Sequence, residues 1–212
     1  MALALSLAAA TTSLAEQTPM TFRSVSPEAP DCGARCPQVV VADGVIDETT
    51  PQAFAEFARQ KSLSRRPRSI VFLNSPGGNV VAAMDLGRGF RRARVAAIVA
   101  GYASQGGISG PVPGECLSAC VYALMGAFRR VAPSWSRVAL HRMWTVEPAE
   151  GPARGGRRSI GDPNLAAMLA RYAAQMGVDP ALVRRAESLA PDVLQTLSPQ
   201  EIARWRLGAE QL

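Results

Sequence analysis

Residues 69–74 read SIVFLN, an almost unbroken apolar run, and Ser-Pro-Gly-Gly follows at once. A strand with one wet face alternates polar and apolar side chains, whereas a strand covered on both faces is apolar throughout. This run therefore belongs inside a sheet, with other elements packed above and below. NVVAAMDLGRGFRR, directly after it, is patterned as a helix, and VAAIVA at 95–100 is a second buried strand. Upstream, CPQVVVADGVID holds a β-branched run from Gln38 to Ala42 that ends in a turn. Thr50 and Pro51 predict an N-cap and an N1 proline, with Phe54, Phe57 and Ala58 on one helical face. Strands alternating with helices predict an α/β fold: a mostly parallel sheet with helices packed around it.

Further along, GYASQGGISGPVPGE reads as a Gly-rich loop, Leu117 to Phe128 as a helix, and the stretches near 129–132 and 137–141 as strands. EPAEGPARGGRRSIGDP reads as a polar loop. Asp162-Pro163, Asp179-Pro180 and Ser198-Pro199 each predict a helix start, Ser198 with Glu201 forming a capping box, and Gly177 suits a helix end. Residues 16–36 have no periodicity and read as a linker or N-terminal arm, so the folded domain is expected over 37–212. Residues 1–15 carry no charged side chain and are too short to span a bilayer. With small residues at Ser13 and Ala15 they look like the apolar part of a secretory signal, without its usual basic start, and predict a periplasmic or secreted protein.

Composition narrows the function classes. At 48% apolar and 19% charged residues the chain is globular in character. The net charge of +6 comes almost wholly from arginine, Lys61 being the one lysine. With 6% aromatics, scattered pairs such as Arg65–Arg66 and Arg157–Arg158, and no zinc-finger or RNA-binding signature, this is a solvated basic surface and no nucleic-acid partner is expected.

Two features carry chemistry. A strand that breaks into Pro-Gly-Gly and opens a helix exposes backbone N–H groups able to hold an anion or a developing oxyanion. In GECLSACVYALMGA, Ser118 stands at a helix start after a glycine-containing loop. Such a serine is an N-cap unless a base lies nearby, in which case it is a nucleophile. The chain has one histidine, His141, ending the apolar strand RVALH. Lys61 lies on an early surface helix, which argues against a Ser–Lys pair.

Taken together, the strand–SPGG–helix unit, the following strand, the small-residue helix with its serine and the strand ending in histidine resemble the ClpP peptidase family. Cys116-Leu117-Ser118-Ala119-Cys120 is similar to the C-x-S-A-C of secreted or periplasmic ClpP-like proteins. The resemblance, over roughly 38–207, implies a ClpP/crotonase-like spiral fold and serine peptidase activity by acyl transfer. It implies Ser118 as nucleophile, His141 as general base, and the N–H groups of Gly78 and Ala119 as oxyanion hole. It places the third triad member on the late loop, where Asp192 is the nearest acid although about two residues early; a Ser–His dyad helped by a backbone carbonyl is the alternative. Asp179 and Glu187 read better as a cap and a surface helical residue. No cofactor or metal is needed. The substrate would be a peptide or unfolded protein. An exported enzyme would lack ATP and hence the family's usual ATPase partner, and whether it forms a homo-oligomer is left open.

The four cysteines Cys32, Cys36, Cys116 and Cys120 allow three pairings. A zinc site is disfavoured by the four-residue spacing and by the serine between the second pair. Disulfides suit an exported chain. A 116–120 bridge would fix the turn presenting Ser118, provided Cys116 lies outside the helix; a 32–36 bridge would close a small loop, and cross-pairing would staple the arm near the site. Two other readings stand beside the peptidase. One is a ClpP-fold scaffold without activity. The other is a crotonase-like acyl-thioester enzyme, which needs no serine nucleophile.

Overall fold

A computed structural model describes residues 18–27, 37–63, 69–105, 108–147, 157–160 and 162–211. The signal-like segment and Cys32 and Cys36 lie outside the described residues. The elements run β1 (Thr21–Val25), β2 (Val39–Asp43), α1 (Thr50–Gln60), β3 (Ser69–Asn74), α2 (Val80–Arg92), β4 (Val95–Val99), β5 (Gly101–Gln105), β6 (Ile108–Val112), β7 (Glu115–Leu117), α3 (Cys120–Gly126), β8 (Arg129–Val131), β9 (Arg137–Leu140), β10 (Trp144–Glu147), β11 (Arg157–Ile160), α4 (Pro163–Gln175), α5 (Ala181–Glu187), β12 (Gln195–Thr196) and α6 (Pro199–Arg204).

The main sheet has the order β1-β2-β3-β4-β8. β2, β3, β4 and β8 are parallel, and β1 closes the edge antiparallel to β2. Part of the segment expected as a linker or arm is therefore taken into the sheet. β3 and β4 are covered on both faces, as their unbroken apolar runs require. Val40, Ala42, Val71, Leu73, Val95, Ala97 and Val99 face the main core with α2, while Val39, Val41 and Phe72 form a smaller cluster on the other face.

The segment expected as a Gly-rich loop is instead the antiparallel hairpin β5–β6. Its Tyr102 stacks on Phe72, centroids 6.4 Å apart, and covers the smaller cluster. The polar stretch after His141 is likewise flanked by paired strands, β10 and β11. α3 starts at Cys120, three residues later than expected, because Glu115–Leu117 pairs in parallel with β9 as part of the three-stranded sheet β12-β9-β7.

α3 is buried on every side, which suits its small and apolar composition. It approaches α2 closely: a Cβ on Gly126 would lie 2.2 Å from the Gly87 carbonyl carbon. Tyr172 of α4 donates its hydroxyl proton to Tyr122 O at 2.9 Å, locking a third helix to this pair.

The caps at Asp162 and Ser198 form as predicted, the latter with the full capping box, and Gly177 takes φ +75° after α4. At α1 the cap differs. The Thr50 side chain does not cap the helix; Asp47 Oδ1 accepts from the N–H and hydroxyl of both Thr49 and Thr50.

Candidate active site

The NSPGG turn and the serine segment are stitched together by backbone bonds. Ser75 N–H donates to Glu115 O at 2.7 Å and Leu117 N–H to Ser75 O at 3.0 Å. Asn74 Oδ1 accepts from Glu115 N–H at 2.8 Å. β7 thus ends beside the glycine turn, with β9 on its other side. The chain must then pass from strand to helix within two residues, and Ser118 does so at φ +54°. A left-handed conformation costs a residue with a Cβ about 1–2 kcal/mol. It is held by Ser118 N–H donating to Ala139 O at 2.8 Å and Ser118 O accepting from Val121 N–H at 3.1 Å. Gly77 leaves room for this elbow, since a Cβ there would sit 2.8 Å from Ser118 Cβ.

The disulfide Cys116–Cys120 spans the elbow, with Cα atoms 5.2 Å apart and both cysteines buried. Cys116 lies in β7 and Cys120 opens α3, so the bridge avoids the awkward i, i+4 geometry within one helix. Among the described residues no cysteine is free.

His141 follows β9, whose register with β7 brings it to the serine. Ser118 Oγ and His141 Nε2 are 2.7 Å apart, both residues half-buried. His141 Nδ1 lies 2.6 Å from Arg142 O. A carbonyl has no proton to give, so Nδ1 carries the hydrogen, and the tautomer this selects turns an Nε2 lone pair on the serine hydroxyl. The imidazole stacks on Trp144, centroids 4.5 Å apart and planes 23° from parallel.

Gly78 lies at φ +134° against Ile46, whose N–H donates to Gly77 O at 2.8 Å and whose O accepts from Asn79 N–H at 2.7 Å. Among the described residues neither the Gly78 nor the Ala119 N–H has an acceptor. A backbone N–H without an acceptor can serve an anionic oxygen that reaches it. α2 begins here, Asn79 Oδ1 accepting from the Val81 and Ala82 N–H groups. Beside the pair opens a cleft of about 460 Å³ lined by Gly78, Asn79, Val80, Val81, Ser118, His141, Met143, Trp144 and Leu165, with Glu48 its one carboxylate among the described lining residues. Ser118, His141 and Gly78 share this mouth, and a hydroxyl, an imidazole and a backbone N–H so placed could serve covalent acyl transfer.

Asp192 does not join them. It lies exposed on the turn after α5 and makes no hydrogen bond to His141 among the described residues; Arg142 O occupies the imidazole Nδ1 instead. The reason is register: Gln195 and Thr196 pair with Leu140 and Ala139, leaving the turn that bears Asp192 in solvent. Asp179 stands one residue before the N-cap Pro180 of α5, and its Oδ1 accepts from Ala181 N–H at 2.8 Å. Glu187 is not a surface residue: it is half-buried, and its Oε1 accepts from Met143 N–H at 3.4 Å.

No family model matches the chain, and no curated protein matches its sequence. Solved structures do. A serine-to-alanine variant of the 1510-N membrane-bound stomatin-specific protease superposes with TM-score 0.57 at 15% identity, covering 81% of this chain and 78% of the other. A lysine-to-alanine variant of that protease in complex with a substrate peptide gives TM-score 0.54 at 16% identity, covering 81% and 74%. The fold is ClpP-like.

Within this ClpP-like fold, two neighbours of His141 are not singled out by the sequence: Trp144 and, as the source of the backbone carbonyl expected of a dyad, Arg142. An aromatic three residues after the lone histidine was the signal for the first. Nothing in a residue's identity signals the second. Lys61 is exposed at the C-terminal end of α1 and does not line the cleft.

Proposed function

We propose that this chain is a serine peptidase working through an acyl-enzyme, with Ser118 as nucleophile and His141 as general base. The observation that carries the reading is the 2.7 Å contact from Ser118 Oγ to a histidine whose tautomer is set by the Arg142 carbonyl. Ser118 Oγ attacks the substrate carbonyl carbon while its proton passes to His141 Nε2. The carbonyl oxygen becomes an oxyanion on the Gly78 and Ala119 N–H groups. The imidazolium is stabilised by its Nδ1–H bond to Arg142 O and held flat by Trp144. It then gives its proton to the leaving amine, freeing the first product. Water, deprotonated by the same Nε2, attacks the ester carbon; Ser118 leaves with the returned proton and the acid product departs. This is a Ser–His dyad assisted by a backbone carbonyl.

The substrate is a peptide or unfolded polypeptide, a reading supported by the peptide-bound protease of the same fold. The protein works outside the cytoplasm without an ATPase; the signal-like N-terminus and the Cys116–Cys120 disulfide support this.

A serine-directed phosphonate tests the reading. Purified protein should be labelled at Ser118 alone, and labelling should be lost in Ser118→Ala and fall steeply in His141→Ala. Labelling at another serine, or labelling indifferent to His141, refutes it.

A further inference from the structure

The peptide unit joining Arg142 to Met143 faces two ways. Its carbonyl accepts the His141 Nδ1–H at 2.6 Å, and its N–H donates to Glu187 Oε1 at 3.4 Å. The C–N bond between these groups is conjugated, so charge at one end polarises the other. A carboxylate at the N–H draws the hydrogen towards itself and pushes electron density onto the carbonyl oxygen. That oxygen becomes a better acceptor for Nδ1–H, as in any chain of hydrogen bonds. The side chain of Glu187 is 18% exposed, so water screens it only in part. Its other oxygen, Oε2, lies 3.7 Å from Arg142 Nε, a buried nitrogen with no hydrogen-bond partner among the described residues. Glu187 thus meets this segment at two points: the peptide N–H of Met143 and the charged side chain of Arg142.

We propose that Glu187 is the third member of the hydrolytic site, a positioning residue that acts on His141 through the Arg142–Met143 peptide unit. The proposal rests on reading Ser118 and His141 as nucleophile and base. No proton reaches Glu187. The serine proton stops on Nε2, and the carboxylate strengthens the Nδ1–H bond that orients and stabilises the imidazolium. The acid that a direct triad would place on Nδ1 is displaced outward by one peptide unit.

The single histidine makes the test unambiguous, because the chain has only one imidazole Nδ1–H resonance. Nitrogen-15-labelled wild type, Glu187→Gln and Arg142→Gln are compared by NMR without substrate, alongside phosphonate-labelling rates and peptide turnover. Glu187→Gln should move the Nδ1–H resonance upfield and lower kcat about tenfold, the size typical of losing a histidine's outer partner, with KM within about twofold. Arg142→Gln should move the resonance downfield, because the carboxylate loses its neutralising neighbour. An ion pair that merely braced the loop would shift both variants the same way, and that result overturns the proposal. So does an unchanged resonance and rate in Glu187→Gln. If that variant fails to fold, Arg142→Gln decides: a downfield shift upholds the proposal, and any other result ends it. Opposite shifts in a wild type that resists the phosphonate would sink the hydrolytic reading while keeping the coupling. Absent shifts in an active wild type would sink the coupling alone.

Discussion

Changing Gly78 to alanine tests the glycine turn and the serine elbow together. The new Cβ would lie 2.0 Å from Ile46 O and 2.9 Å from the Ile46 carbonyl carbon, where ordinary contact starts at 3.4 Å. One of the two segments must therefore move by about 1.4 Å. Ile46 is fully buried and bonded on both sides, through Gly77 O and Asn79 N–H, so the turn has to yield. Overpacking costs about 1–3 kcal/mol and a left-handed backbone another 1–2 or so, a loss of roughly 2–5 kcal/mol. Displacing the Gly78 N–H by such a distance should lower the labelling rate by about 10²-fold or more, both from misplacement and from the lost oxyanion donor. Gly177→Ala is the matched control: φ is +75° there, but nothing lies within 4 Å of the added Cβ. It should lose only the backbone contribution, about 1–2 kcal/mol, and keep its labelling rate. Urea unfolding gives the stabilities and phosphonate kinetics the rates. A Gly78→Ala protein no less stable than Gly177→Ala would refute the packing argument, and one labelled within about threefold of wild type would show that the N–H of Gly78 has no part in the chemistry.

Other substitutions read the remaining parts of the site and its frame. Asp192→Asn should label within about twofold of wild type, because the Nδ1 position belongs to Arg142 O; a loss of orders of magnitude would restore a direct triad. Replacing Cys116 and Cys120 together by alanine should cost about 2 kcal/mol in urea unfolding, the value for so short a loop, and should slow labelling by loosening the elbow; unchanged kinetics would make the bridge irrelevant to Ser118. Asp47 is held below the usual carboxylate value, first by the Thr49 hydroxyl and then by that of Thr50. A depressed folded pKa contributes stability above the unfolded value that disappears as pH falls through the folded one. Wild type should therefore be more stable than Asp47→Asn at neutral pH, the two converging in acid; a gap independent of pH would discount the charge.

What lies close along the chain was legible. Asp162 and Ser198 cap the helices that begin beside them, because a cap joins groups two or three residues apart and needs no tertiary partner. The apolar runs at 69–74 and 95–100 could only be interior strands, and the parallel order of β2, β3 and β4 follows from the helices between them. Ser118 and His141 stood out because the chain has one histidine and one strand–helix serine flanked by cysteines.

The rest depended on which segments meet. GYASQGGISGPVPGE has the glycine, serine and proline of a loop, yet it pairs as a separate two-stranded hairpin that lays Tyr102 on Phe72. Residue type favoured Asp192 for the imidazole, but pairing of Gln195 and Thr196 with β9 left that aspartate in water. The partner actually used, the Arg142 carbonyl, is a group every residue carries, so no side-chain pattern announces it. Glu187 resembles any helical surface glutamate until α5 packs against a peptide 44 residues earlier in the chain. Side-chain chemistry is written residue by residue, whereas the direction of a backbone carbonyl, and the face of a short helix that turns inward, are set only when distant strands and helices close around them.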